Sequence, residues 1–258
     1  MNGSYEALKG GSTSEALSDF TSGVSESFDF GDYGTISDKI PKDLFRTLKT
    51  SFEKGAVGGA SVEVAGAGME AQAGQGLVAG HAYTLRRATK VSSVALSEII
   101  YIQFSYLKLP NGTELVCLRN PWGTAEWTGR WSDGSAEWDS VDESDLEEMG
   151  IEDNDDGEFW MEYGDFIRYY SKVEMCMIPE ELSADAECNW VTSLHESKWS
   201  RGITAGGCTN FMATFWRNPQ FLMTLVDVDD DDETNCTFVA SLLQSDPDRR
   251  RKQKDLLR

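Results

Sequence analysis

The chain contains two histidines, so any imidazole chemistry is confined to His81 or His195. His81 stands at the start of an apolar run, in Gly80-His81-Ala82-Tyr83, and Arg119-Asn120-Pro121-Trp122-Gly123 closes another. A histidine and an asparagine on neighbouring strands can share one hydrogen bond with a defined purpose. The amide oxygen accepts from one ring nitrogen, which fixes the tautomer and leaves the other nitrogen to take a proton from a nucleophile. Pro121 and Trp122 would hold the turn and screen that bond from water. The competing reading is an ordinary histidine satisfied by its surroundings, and the bare pair does not decide between the two. His195 lies in a polar segment with no nameable partner and reads as a surface residue.

Carboxylates are the second candidate chemistry. From Glu137 to Asp165 there are fourteen Asp or Glu and no Lys or Arg, and Asp227 to Glu233 adds six acids in seven residues. Such runs are either solvated loops or sites for a hard cation, because crowded carboxylates repel unless Ca²⁺ or a basic partner offsets them. An EF-hand is excluded. Glu152, Asn154, Asp156 and Gly157 mimic its loop, but Tyr163 stands where the bidentate glutamate belongs, and the residues after Gly157 read as a strand. Of the five cysteines, Cys117 and Cys176 fall inside apolar strands, where a thiol is usually a small inert hydrophobe. The set is odd in number and has no CxxC pair, which fits reduced intracellular thiols.

The elements that must position these groups are mostly strands. Leu77–Arg86, Glu98–Leu109, Glu114–Arg119, Gly157–Tyr163 and Lys172–Ile178 alternate or run apolar, and Pro110-Asn111-Gly112 is a hairpin signal. A short helix is expected over Tyr5–Lys9. A better one starts near Ser37 or Asp38, with Pro41 in its first turn, Leu44, Phe45, Leu48 and Phe52 on one face, and Gly55 as its stop. Residues 55–80 are rich in Gly and Ala and read as a short strand, Ala60–Ala65, within a mobile loop. After a polar acidic connector near 179–187, Phe211–Trp216, Phe221–Val228 and Cys236–Leu243 look like strands of a second β unit, before a basic tail from Arg249 to Lys252.

Composition bounds the function. With 40% apolar and 26% charged residues over 258 positions, the chain can bury a core and is not disordered over most of its length. A net charge of −21 disfavours nucleic acid as main partner. No run approaches the roughly 20 apolar residues of a spanning helix, and the first twenty residues carry no secretory signal.

Longer words surround the candidate pair: Gly76-Leu77-Val78-Ala79-Gly80-His81-Ala82-Tyr83, Leu118-Arg119-Asn120-Pro121-Trp122-Gly123, Glu126-Trp127-Thr128-Gly129-Arg130-Trp131-Ser132-Asp133 and Asp156-Gly157-Glu158-Phe159-Trp160-Met161. Together with Asn2-Gly3-Ser4-Tyr5-Glu6-Ala7-Leu8, Thr204-Ala205-Gly206-Gly207-Cys208, Ala213-Thr214-Phe215-Trp216 and Asn218-Pro219-Gln220-Phe221, they closely resemble calpains over essentially the whole chain. The resemblance implies a calcium-dependent cysteine endopeptidase that cleaves intracellular proteins in the cytoplasm. Its fold would be α+β and mainly antiparallel β, a papain-like second subdomain followed by a partial C2-like β-sandwich. Residues 1–11 would be a remnant of the first protease-core subdomain, 12–179 the second, 180–187 a linker and 188–258 the C2-like part.

On that resemblance His81 is the general base, Asn120 orients it and Trp122 is the aromatic shield. Glu126, Asp133, Asp156 and Glu158, with a backbone carbonyl near Asn154, match a Ca²⁺ site. The family's Gln-Gly-x-Leu-Gly-Asp-Cys-Trp motif, which carries the nucleophile, does not occur in this sequence. The expected partners are therefore protein substrates, a first subdomain bearing that cysteine and, through the C2-like part or the basic tail, anionic lipid; the chain reads as a piece of a longer polypeptide, inactive alone. A non-catalytic calcium-responsive module is the rival reading. The run Asp227–Glu233 stays open between a cation site and a solvated loop.

Overall fold

The computed structural model describes residues 11–66, 70–91, 112–141, 143–151, 154, 156–178, 193–225 and 238–242. The chain divides into two units, residues 1–191 and 192–258. The first is built on a six-stranded sheet in which every neighbouring pair is antiparallel.

The sheet's strands are β1 (Val24–Asp29), β2 (Val57–Val62), β5 (His81–Val91), β6 (Thr113–Arg119), β7 (Glu158–Glu162) and β8 (Lys172–Met177), in the spatial order β1-β8-β2-β5-β6-β7. A separate hairpin pairs β3 (Ala71–Gly74) with β4 (Leu77–Ala79). Among the described residues the unit also has four α-helices: α1 (Thr13–Thr21), α2 (Leu44–Glu53), α3 (Glu143–Met149) and α4 (Tyr163–Tyr169).

Strand alternation sends side chains to two apolar layers. Val116 and Leu118 of β6, with Phe159 and Met161 of β7, join the main core, which also takes Leu44, Phe45 and Leu48 of α2 and Phe166 of α4. Leu115, Cys117 and Trp160 point the other way, into a smaller cluster with Trp131, Trp138 and Met149. Residues 115–118 and 159–161 are thus buried whichever way they face, so the site's supporting strands are covered on both sides.

Several expectations are corrected. The run Leu77–Arg86 is two strands in two sheets, because Gly80 takes a left-handed φ of 66° between β4 and β5. The glycine-rich segment around residue 58 is central sheet. A Cβ on Gly58 would meet the Phe52 ring at 2.8 Å, so the small residue serves close packing, and the strand runs 57–62 rather than 60–65. The helix anticipated from Ser37 begins at Leu44. The Ser37 hydroxyl instead accepts from the Lys39 amide in a turn that Pro41 follows. Tyr163 opens α4 rather than closing a strand.

In the second unit, Phe211–Trp216 is not a strand. It forms turns leading into a 3₁₀ segment, Phe215–Arg217. Thr214 Oγ1 donates to the Gly206 carbonyl at 2.7 Å and Asn218 Nδ2 to that of Gly207 at 2.7 Å, bonds that fold the chain back instead of extending it. Phe221–Leu225 has no regular structure. The expected elements at Tyr5–Lys9, Glu98–Leu109 with Pro110 and Asn111 of its hairpin, and 226–228 lie outside the described residues, and of the strand expected over Cys236–Leu243 the described part, 238–242, has no regular structure. Among the described residues no helix is long and apolar enough to cross a membrane.

Candidate active site

Gly80 breaks the chain direction and donates its amide to the Val62 carbonyl, which places His81 as the first residue of β5, paired with Val62. Asn120 sits one residue beyond the end of β6, two strands from β2 and adjacent to β5 in the sheet. Antiparallel pairing brings the start of one strand beside the end of the other, so residues distant in sequence meet. His81 Nε2 and Asn120 Oδ1 are 2.9 Å apart.

The asparagine amide can face only one way. It is fully buried, and its Nδ2 donates to the carbonyls of Thr124 at 2.6 Å and Ala125 at 3.0 Å. Its Oδ1 accepts the Trp122 amide at 3.1 Å, a side-chain turn that closes the Asn-Pro-Trp corner. Two carbonyls fix the NH₂ end, so an acceptor faces the imidazole. His81 Nε2 must then carry the hydrogen, and the lone pair resides on Nδ1. Trp122 lies over the ring, centroids 4.4 Å apart, and the edge of Tyr83 packs against it at 5.1 Å. Trp122 is half exposed, so the shield is also a wall open to solvent.

The corner is braced from β7. Asn120 donates its backbone amide to the Gly157 carbonyl at 2.7 Å. Gly157 has φ 87°, and a Cβ there would meet the Asn120 carbonyl oxygen at 2.6 Å and Gly123 Cα at 2.8 Å, so only glycine fits. Its own amide donates to Glu126 Oε1 at 2.6 Å.

The five residues matched to a Ca²⁺ site are only partly assembled. Glu126 is committed to Gly157, and Asp156 Oδ1 accepts the Glu158 amide at 2.8 Å. Asn154 gives its carbonyl to the Asp156 amide at 2.9 Å. Asp133 lies on the loop after Trp131, near enough to influence Cys117. Glu158 pairs with Arg86 and accepts from the Cys117 thiol at 3.3 Å. Among the described residues no three acidic, histidine or cysteine side chains converge as a metal ion requires. The donor set, in this arrangement, does not fit Ca²⁺.

The described cysteines differ in environment, and that of Cys117 favours the neutral thiol. Burial pushes Cys117 up to about 12, outweighing Arg87 and Arg86, while Asp133 and Asp156 raise it further. Cys176 is fully buried in β8 against Thr21 Oγ1. Cys208 is exposed in the second unit. Cys188 and Cys236 lie outside the described residues, and His195, in the second unit, stacks against Phe221 at 5.4 Å.

Sequence reasoning did not find Tyr83, Gly157 or Arg86. Tyr83 was visible as the third residue of His-x-Tyr, on the same strand face as His81. Arg86 had a signal too: two adjacent arginines interrupt the alternation of β5 where its register to β6 slips between Leu85 and Arg87.

A strand-borne histidine whose tautomer is set by a buried asparagine, under a tryptophan, has the geometry that the base half of a papain-type Cys-His-Asn site requires. The comparisons agree with that class. The calpain family cysteine protease profile matches residues 1–177, and the profile of calpain large subunit domain III matches residues 195–258. The chain belongs to the calpain family. It is 40% identical over 257 residues to calpain-1 catalytic subunit of Gallus gallus (98% of this chain, 33% of that protein). It is 41% identical over 251 residues to calpain-A of Drosophila melanogaster (95% and 28%) and 41% over 256 residues to calpain-9 of Mus musculus (98% and 34%). The chain thus spans about a third of the length of these relatives.

Proposed function

We propose that this chain supplies the base-and-orienting half of a calpain-type cysteine endopeptidase acting on proteins in the cytoplasm. The observation that carries the reading is the orientation of Asn120, which leaves His81 Nδ1 as the free base. A thiol brought to Nδ1 by a first subdomain would lose its proton to that nitrogen. The thiolate would add to the peptide carbonyl carbon, and the imidazolium, held by Asn120 Oδ1, would return the proton to the departing amine. Trp122 excludes water from the His81–Asn120 bond throughout. Ca²⁺, through Glu126, Asp133, Asn154, Asp156 and Glu158, belongs to the proposal on the strength of the resemblance, and would require those side chains to exchange partners. Anionic lipid remains a proposed partner of the second unit.

The nucleophile is proposed to come from outside this chain, since the family's Gly-Asp-Cys-Trp word does not occur in this sequence and Cys117 and Cys176 are buried thiols. The same observation favours a second reading, a non-catalytic module on the protease fold. One experiment separates them. The chain is mixed with a separately produced Cys-bearing first subdomain from a calpain relative, and peptide cleavage is followed with and without Ca²⁺. Restored cleavage that His81→Ala abolishes supports the peptidase. No cleavage, with both halves shown to be folded and associated, supports the binding module.

A further inference from the structure

The β3–β4 hairpin reaches both members of the His81–Asn120 pair through their neighbours. Its strands are joined by Gln75 and Gly76, with φ 52° and 79°, the left-handed pair that closes a two-residue hairpin. Leu77, Val78 and Ala79 of β4 are all buried, and the Val78 amide donates to Tyr83 Oη at 2.9 Å. Tyr83 is the residue whose ring packs on His81. The hairpin's tip meets the loop that follows the Asn-Pro-Trp corner. Thr128 donates its amide to the Gln75 carbonyl at 3.0 Å. A Cβ on Gly76 would overlap the Glu126 carbonyl and lie 3.2 Å from Thr128 Cγ2, so the two backbones touch with no side chain between them. Within that loop Ala125 has φ 62°, a left-handed conformation that costs a residue with a Cβ. Its carbonyl, with that of Thr124, is what receives Asn120 Nδ2.

We infer that the β3–β4 hairpin is a positioning element of the site and Gly76 a positioning residue, because its tip holds the 124–128 loop where the Thr124 and Ala125 carbonyls fix the Asn120 amide. The inference rests on the proposed base-and-orienting role and names what enforces it. A left-handed alanine persists only where its surroundings over-determine it, and the hairpin supplies that constraint. Trp127 anchors the loop in the main core, but Thr124, Ala125 and Thr128 are exposed, whereas β4 is buried. A methyl group at the tip therefore displaces the loop rather than the hairpin. Ala125 then relaxes and turns its carbonyl away from Asn120. An amide without those acceptors is free to turn over. Its NH₂ end facing the ring needs a bare Nε2, which moves the hydrogen to Nδ1, the nitrogen a thiol must use.

Nitrogen-15 NMR of the full chain in a His195→Gln background, at a pH where the ring is neutral, reads the His81 tautomer directly. The parent should carry its hydrogen on Nε2. In Gly76→Ala the Nδ1-protonated form should rise roughly tenfold, the effect of weakening two hydrogen bonds. Gly74→Ala is the matched control. Gly74 has φ 106° in the same hairpin, but its Cβ would meet only Tyr33 Oη, at 3.6 Å, so this variant should keep the parent's ratio. Circular dichroism confirms that each variant is folded. A parental ratio in folded Gly76→Ala overturns the inference and leaves the proposed function standing. An equal rise in Gly74→Ala would reduce the effect to a loosened hairpin and overturn it as well. Should Gly76→Ala not fold, Tyr83→Phe decides in its place, since it frees the Val78 amide while keeping the ring beside His81. A rise of at least about threefold there supports the inference, and an unchanged ratio overturns it. A parent with its hydrogen already on Nδ1 would overturn the proposed function and this inference together.

Discussion

At the scale of single residues, Asn120 carries more than its bond to His81. Its side chain satisfies the Trp122 amide and the carbonyls of Thr124 and Ala125 in a spot closed to water. A buried polar group that loses its partner costs on the order of 1–3 kcal/mol, and some of these would find water once the turn loosens. Asn120→Ala should therefore destabilise the chain by roughly 2–4 kcal/mol in urea unfolding. It should also release the tautomer, seen as exchange of the His81 ring nitrogens between protonated and bare states by NMR. A variant as stable as the parent, with Nε2 still protonated, would mean that other groups orient His81. That outcome would also weaken the peptidase reading, which depends on this amide having one orientation.

At the scale of elements, the least expected feature is the clasp holding α1 to β8. Ser12 and Ser14 donate their hydroxyls to Glu174 Oε1 at 2.8 and 2.9 Å, the Ser14 amide adds a bond at 3.3 Å, and Lys172 pairs with Oε2 at 3.4 Å. Burial alone would raise the Glu174 carboxyl, but these donors outweigh it and hold the group down at about 2. A depressed acid stabilises the fold above its unfolded value near 4.5, and that stability is lost as pH falls from about 4.5 toward about 2. At full strength the effect is up to about 3 kcal/mol. The parent should lose stability over that window, while Glu174→Gln, less stable at pH 7, should change little there; parallel curves for the two would rule out the clasp. Little of this was legible beforehand. In α1 no residue is buried, so Thr13–Thr21 shows no helical apolar period, and the edge strand β1, Val-Ser-Glu-Ser-Phe-Asp, reads as polar loop. By contrast β6, β7 and β8 were plain, because burial on both faces makes them continuous apolar runs. His81 and Asn120 were legible as a pair because one begins the long strand β5 and the other follows the apolar strand β6. The partners of Glu126 and Glu158 were not, since a bulge and a left-handed glycine decide them and neither follows from residue type alone.

At the scale of the whole molecule, the two units differ in kind. Every buried apolar residue among those described lies between Phe30 and Met177, in the unit that carries His81 and Asn120. In the second unit the described apolar side chains are largely exposed: Leu222 entirely, Leu194 79% and Met212 74%. Exposed apolar side chains in such number bind hydrophobic probes. The first unit has its own two-layered core, so its cooperativity should not require the residues that follow. A chain ending at Val191 should unfold in a single thermal transition with a midpoint within about 2 °C of the full chain's main transition, since it keeps every buried apolar residue among those described. It should also bind the dye ANS less strongly, because the exposed apolar side chains go with the deleted unit. A truncated chain that melts gradually, or far below the parent, would show that the sheet bearing the His81–Asn120 pair depends on the second unit. The base half of the site would then be an assembly of both units rather than a property of one sheet, and complementation with a Cys-bearing subdomain would have to be attempted with the full chain alone.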